Sequence, residues 1–243
     1  AEEFISGSPL PLTDGEIGPD GALYFLTGGR RINSDVYRAY YGKNDLKTEP
    51  LKVDESSDAA KARETRRKLE AFQEKTDAST LDVAWPYLNN SDRGIRYAAR
   101  IAVEHVPVQQ WQAKALAEKD PVALTQAMVA LARTGDKSAE TQMLDAMLTV
   151  DYARLNTNQQ IDLLRAFELT LSRMGDPGAA YKEKIIAYLD PKYPASDNIL
   201  NQQLCKVLAN VDDPQIVSKT MTLIANSVDD TTATATASSD LIL

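Results

Sequence analysis

The sequence predicts a mainly α protein, an α-α superhelix (solenoid) of stacked antiparallel helix pairs with a small N-terminal β-meander. Three observations predict it. The hydrophobic period changes from 2 to 3.6 near Ser57. From there on, helix-length segments are separated by Pro, Gly, Asp and Asn. Finally, a short motif recurs at an interval near 40 residues, as expected of stacked two-helix units.

The meander and its linker occupy residues 1–50, the helical region 51–228 and a low-complexity tail 229–243. Pro19-Asp20-Gly21 reads as a turn, in which Pro fixes φ, Asp bonds the local backbone and Gly takes a positive φ. Residues 22–27 follow as a strand, 28–35 as a loop and 36–41 as a second strand rich in β-branched and aromatic residues. A short strand at 16–18 is expected before the turn. A meander of two or three strands is too small to stand alone. It therefore packs on the helices or belongs to a larger sheet assembly.

Ser57-Asp58 supplies an N-cap for a helix reaching about Lys75. Further helices are expected at about 79–88, 92–105, 108–118, 121–134, 137–149, 157–174, 178–189, 197–210 and 213–227, giving four or five pairs. Leu131-Ala132-Arg133-Thr134-Gly135-Asp136 matches Leu171-Ser172-Arg173-Met174-Gly175-Asp176, and Leu208-Ala209-Asn210-Val211-Asp212-Asp213 is a weaker third copy. Their starts differ by 40 and 37 residues, an interval of the HEAT or armadillo kind. A single helix pair cannot bury its apolar stripe, so stacked pairs share a continuous core.

Trp85-Pro86-Tyr87-Leu88 followed by Ser91-Asp92-Arg93-Gly94-Ile95-Arg96-Tyr97-Ala98-Ala99-Arg100 resembles a HEAT repeat, with a Pro in the first helix, an Asp at the turn and an Arg on the second. The resemblance implies close packing at Ala98, Ala99 and Ala102, and an inter-repeat polar ladder through Asp92 and Arg96. The segments after residue 137 lack the Arg.

Ile17-Gly18-Pro19-Asp20-Gly21-Ala22-Leu23-Tyr24-Phe25 resembles the recurring blade of soluble sugar-dehydrogenase β-propellers, with Val36-Tyr37-Arg38 as its closing strand. A blade followed by HEAT-like helices is similar to large secreted bacterial proteins that join a sorbosone-dehydrogenase-like propeller, a HEAT-like region and a c-type cytochrome domain. The resemblance implies a periplasmic or extracellular setting and a parent that is a quinone- or haem-linked dehydrogenase, with quinone, calcium or haem c held elsewhere. A propeller needs roughly four to eight blades, and c-type haem attachment needs Cys-x-x-Cys-His, which a chain with one Cys lacks. The chain is thus expected to hold no cofactor itself and to be the junction piece. Ala1 in place of Met fits a piece of something longer.

Net charge is −8 and the pI is near 4.8. That field repels a phosphate backbone, so nucleic acid is not an expected partner. No apolar run approaches the ~20 residues of a membrane span. One His and one Cys exclude a two-histidine metal site and an internal disulfide.

Individual residues suggest few sites. Arg30 and Arg31, after two glycines, are a candidate anion contact, with a solvated hairpin loop as the alternative. Asp14, Glu16, Asp20 and Asp35 carry oxygen ligands, but their spacing matches no calcium loop. His105, at a helix end, reads as a capping residue, with a general base or ligand as the alternative. Cys205 reads as a small buried hydrophobe rather than a reactive thiol. Arg63, Arg66, Arg67 and Lys68 interleave with Glu64 and Glu70 as a solvated face. Trp85 and Trp111 read as packing residues, and Tyr181, Tyr188 and Tyr193 as core or rim.

The expected function is a non-catalytic scaffold or protein-interaction module whose partners are proteins or neighbouring domains of the parent chain. The alternatives are an active-site edge contributed by the 28–35 loop and an independent peptide-binding helical repeat. The tail is expected to pack on the solenoid or on a neighbouring molecule, or to begin a truncated helix.

Overall fold

The computed structural model describes residues 5–7, 10–29, 32–39 and 56–226. The chain divides into two compact units, Ala1–Lys61 and Ala62–Leu243. Together they hold a three-stranded sheet and ten α-helices among the described residues. The tail beyond residue 226 and most of the expected linker lie outside them.

In the first unit, β1 (Leu12–Ile17), β2 (Leu23–Gly29) and β3 (Ile32–Ala39) form an antiparallel sheet in the order β1-β2-β3. The turn before β2 follows the sequence reading. Gly21 has φ 76°, its N–H donates to the Gly18 carbonyl at 2.9 Å, and Asp20 accepts from the Ala22 N–H at 3.2 Å. Asp20 also accepts from the Tyr24 hydroxyl at 3.0 Å and from Arg38 at 2.5 Å, so the turn is pinned to β3. Hydrogen bonding to Arg38 is the main cause that holds the Asp20 carboxyl below its ordinary value.

Residues 28–35, expected as a loop, are largely strand. The β2–β3 ladder runs out to a Gly29–Ile32 pair, with an irregularity between Thr27 and Gly29. Gly28 permits this, because a Cβ there would meet the Ser34 Oγ at 2.9 Å.

The helices are α1 (Asp58–Glu74), α2 (Thr80–Ala84), α3 (Arg93–Glu104), α4 (Gln112–Ala117), α5 (Pro121–Thr134), α6 (Glu140–Leu148), α7 (Thr157–Met174), α8 (Ala179–Leu189), α9 (Asn198–Asn210) and α10 (Ile216–Ala225). Several are shorter than expected, α2, α4, α6 and α10 most of all, and for α2 and α4 the reason is identifiable. Pro86 has no N–H to continue α2, so the chain tightens into a 3-10 turn at Trp85–Tyr87. Ahead of α4, Trp111 leaves helical geometry at φ −131°, and its fully buried indole donates to the Val106 carbonyl at 3.0 Å.

Four helices form a row in which α3 packs on α5, α5 on α7 and α7 on α9. Each begins with a side-chain cap. Asp92 accepts from the Ile95 N–H, Asp120 from those of Val122 and Ala123, and Asp197 from that of Leu200. Asn156 forms a reciprocal capping box with Gln159. A second set, α4, α6 and α8, packs in succession beside them. The core between holds Trp111, Met128, Leu131, Met143, Leu144, Met147, Leu163, Leu164 and Phe167. Each large apolar side chain so buried contributes roughly 1.5–3 kcal/mol. Ala98, Ala99 and Ala102 are buried on α3, where small side chains allow close helix approach.

The three motif copies occupy equivalent places at the C-terminal ends of α5, α7 and α9. The Asp that ends each copy bonds the backbone opening the next segment: Asp136 accepts from Ser138, Asp176 from Gly178 and Asp213 from Gln215. No helix among the described residues is long and apolar enough to cross a membrane.

Candidate ligand-binding groove

The outer faces of α3, α5 and α7 enclose a groove of about 520 Å³. Each helix contributes a stripe at helical spacing. Arg93, Arg96, Tyr97 and Arg100 come from α3; Gln126, Val129 and Arg133 from α5; Asp162, Arg165 and Leu169 from α7. Residues three, four and seven apart share a helix face. The inward faces of the same helices fill the core, so this spacing turns the arginines outward together.

Five guanidiniums line the groove with one carboxylate. Glu104, with a side chain only 8% exposed, accepts from Arg100 and, at 2.9 Å, from Arg133, tying α3 to α5. Arg165 bonds Glu168 at 2.7 Å on its own helix. Arg96 reaches over α5 to Asp162 on α7 at 3.7 Å, and its Nη1 donates to the carbonyls of Asn90 and Ser91. Its Nε is buried with no hydrogen-bond partner among the described residues. Arg93 is exposed and makes no ion pair or hydrogen bond among the described residues. The Arg100 guanidinium lies 5.1 Å from the centre of the Tyr97 ring. Burial pushes the Asp162 carboxyl above its ordinary value, against the pull of Arg96 and Arg93.

This cluster was not singled out from the sequence. Its signal was the i, i+3, i+7 stripe Arg93-Arg96-Arg100, repeated as Gln126-Val129-Arg133 and Asp162-Arg165-Leu169. Of the residues expected to form a ladder, Asp92 is spent on capping α3, while Arg96 makes the long reach to α7.

The other candidates disperse. Arg30 and Arg31 lie outside the described residues. Asp20 serves the turn and Asp14 accepts from the Gly15 N–H. Glu16 and Asp35 face Tyr24 and Thr27 across the sheet. Among the described residues no group of three or more His, Cys, Asp or Glu side chains is placed to hold a metal ion. His105 is the C-cap residue of α3, and Cys205 is half-buried on α9 with its Sγ 3.6 Å from the Thr220 Oγ1. No hydrogen bond joins them. The Trp85 indole donates to Glu118 at 2.8 Å, with the Lys114 ammonium over its ring.

The three tyrosines act as ties between elements. The Tyr181 hydroxyl bonds Asp145 of α6, that of Tyr188 the Val150 carbonyl, and that of Tyr193 the Thr220 hydroxyl of α10. On α1, Arg66 pairs with Glu70 and Lys68 with Glu64 on an exposed face, pairs worth little individually.

Neither a protein-family profile nor a curated protein matches the chain. A solved structure described as an engineered protein is similar to it at 17% identity, covering 65% of this chain and 75% of that one, with a TM-score of 0.37. At that TM-score the likeness identifies neither a fold family nor a function.

Proposed function

We propose that the helical unit is a HEAT-like solenoid acting as a non-catalytic scaffold and protein-interaction module, with the arginine-lined groove as its binding face. One observation carries this reading. The outward stripes of three successive row helices converge on a single groove, as stacked repeats present a shared surface to a partner. The equivalent placing of the three motif copies, and the side-chain cap on every row helix, support the repeat. In the same reading the sheet is a blade of a missing propeller, its turn locked by Asp20, Tyr24 and Arg38. The parent is then a secreted, periplasmic or extracellular bacterial oxidoreductase whose cofactors lie outside this chain.

A peptide-display selection tests the proposal. The chain is immobilised and offered a random short-peptide library, with the Arg93→Glu, Arg165→Glu double variant as the counter-selection. Both side chains are exposed, so the reversal leaves the core alone. Peptides enriched on the native chain and lost on the variant support the reading. No enrichment, or equal enrichment on both, overturns it.

A further inference from the structure

We infer that the groove takes a short, extended acidic segment of a protein partner, in which Asp or Glu side chains alternate with apolar or aromatic ones. This rests on the interaction-module reading and adds the chemistry of the occupant.

The first support is a contrast of charge. The chain as a whole carries −8, yet one groove gathers five arginines and no lysine. A guanidinium is a planar fork that matches a carboxylate with two parallel hydrogen bonds, which a lysine ammonium cannot do. The second support is that these forks are only partly used. Arg133 spends its Nε on Glu104, and Arg165 spends its Nη1 on Glu168. The remaining N–H donors of both are unengaged among the described residues, on side chains 47% and 50% exposed. Arg93 makes no ion pair or hydrogen bond among the described residues, and Asp162 holds Arg96 only at 3.7 Å. An incoming carboxylate therefore finds donors already oriented by pairing with Glu104 and Glu168, so little side-chain entropy is lost on binding.

The third support is the apolar share of the lining. Tyr97, itself 57% exposed, lies in the groove with Val129 and Leu169. A bare polyanion gains nothing from that surface, whereas an acidic peptide with apolar residues between its carboxylates uses both parts. Tight binding to a nucleic acid relies on a run of phosphate contacts along an extended basic surface. Here the five arginines line a groove of about 520 Å³ on an acidic chain. That volume lies within the ~300–1,000 Å³ typical of ligand pockets, which suits a few peptide residues.

Fluorescence anisotropy of labelled probes on the whole chain tests the inference. The probes are a short peptide alternating glutamate with leucine and tyrosine, its glutamine counterpart, and a single-stranded DNA of equal charge. The glutamate peptide is expected to bind about tenfold or more tightly than the other two and to weaken with added salt. Arg165→Ala and Arg93→Ala are each expected to weaken it several-fold, while Arg67→Ala on α1 leaves it unchanged. Circular dichroism melts of each variant confirm folding. If the glutamine peptide binds the groove equally well, the acidic preference is wrong while the interaction module stands. DNA binding as tight as the glutamate peptide also overturns the inference. If neither peptide binds and the display selection returns nothing, both readings fall.

Discussion

The Nε of Arg133 lies 2.9 Å from the Oε2 of Glu104, tying the last turn of α5 to the last turn of α3. Glu104 and Arg100 are nearly buried, whereas Arg133 is half exposed. The two ends of this network therefore respond unequally. Glu104→Ala leaves the Arg100 guanidinium buried without a carboxylate and is expected to cost about 3 kcal/mol. Arg133→Ala removes a partner that water largely replaces, and its expected cost is below about 1 kcal/mol. Urea unfolding of both variants checks this, and equal costs would refute the asymmetry.

Arg173 staples α7 to α5. Its Nε donates to the Ala132 carbonyl at 2.9 Å and its Nη2 to that of Arg133 at 3.2 Å, satisfying acceptors in the last turn of α5. Arg173→Ala is expected to cost about 1–2 kcal/mol. Amide exchange should quicken first in the last turn of α5; a change confined to α7 would count against the staple.

Glu140 opens α6 almost fully buried, and its Oε1 has no hydrogen-bond partner among the described residues. Desolvation, then the nearby Asp176 charge, raise its carboxyl above the ordinary 4.5, partly offset by Lys137. A raised folded-state value means the ionised form is disfavoured in the fold. The penalty is full above the folded pKa, shrinks as pH falls towards the unfolded value and vanishes below it. Glu140→Gln is therefore expected to stabilise the protein at neutral pH and to have no effect near pH ~3. Melting curves across that range decide it, and a destabilised variant at neutral pH would contradict the argument.

Asp120 caps α5 through two backbone N–H groups, at 3.0 and 2.9 Å. Asp120→Ala is expected to lower stability by about 1 kcal/mol, whereas Asp120→Asn, which keeps the acceptor, should lose less. If both variants melted with the native protein, the cap would be energetically idle.

The helices were more legible in the sequence than the groove. The bounds of α5 and α7 are those expected, because Asp120-Pro121 and Gly135 punctuate one and Asn156 and Gly175 the other. The start of α4 was not legible, since the break is set by Trp111 sinking into the core. Reading 28–35 as a loop missed a ladder that depends on Ser34 passing over Gly28. Of the α3 arginines the sequence gives a role only to Arg96, in an inter-repeat ladder. Only the packing of α3, α5 and α7 brings Arg133 and Arg165 beside them, and no pattern along one helix encodes that meeting.

The third motif copy has Asn210 where the others have Arg133 and Arg173, and its exposed side chain makes no hydrogen bond among the described residues. An asparagine is too short to span to the preceding helix as those arginines do. The junction between α7 and α9 thus lacks the inter-helix clasp of the two before it. In a row where each helix leans mainly on its neighbours, a junction without that clasp is expected to open more readily than it would with one. The pair α9–α10 is the natural first piece to detach, leaving α3, α5 and α7 together. The groove would then outlast the loss of the C-terminal helices, so its ligand would slow exchange in those three helices while leaving α9 and α10 to open at their own rate.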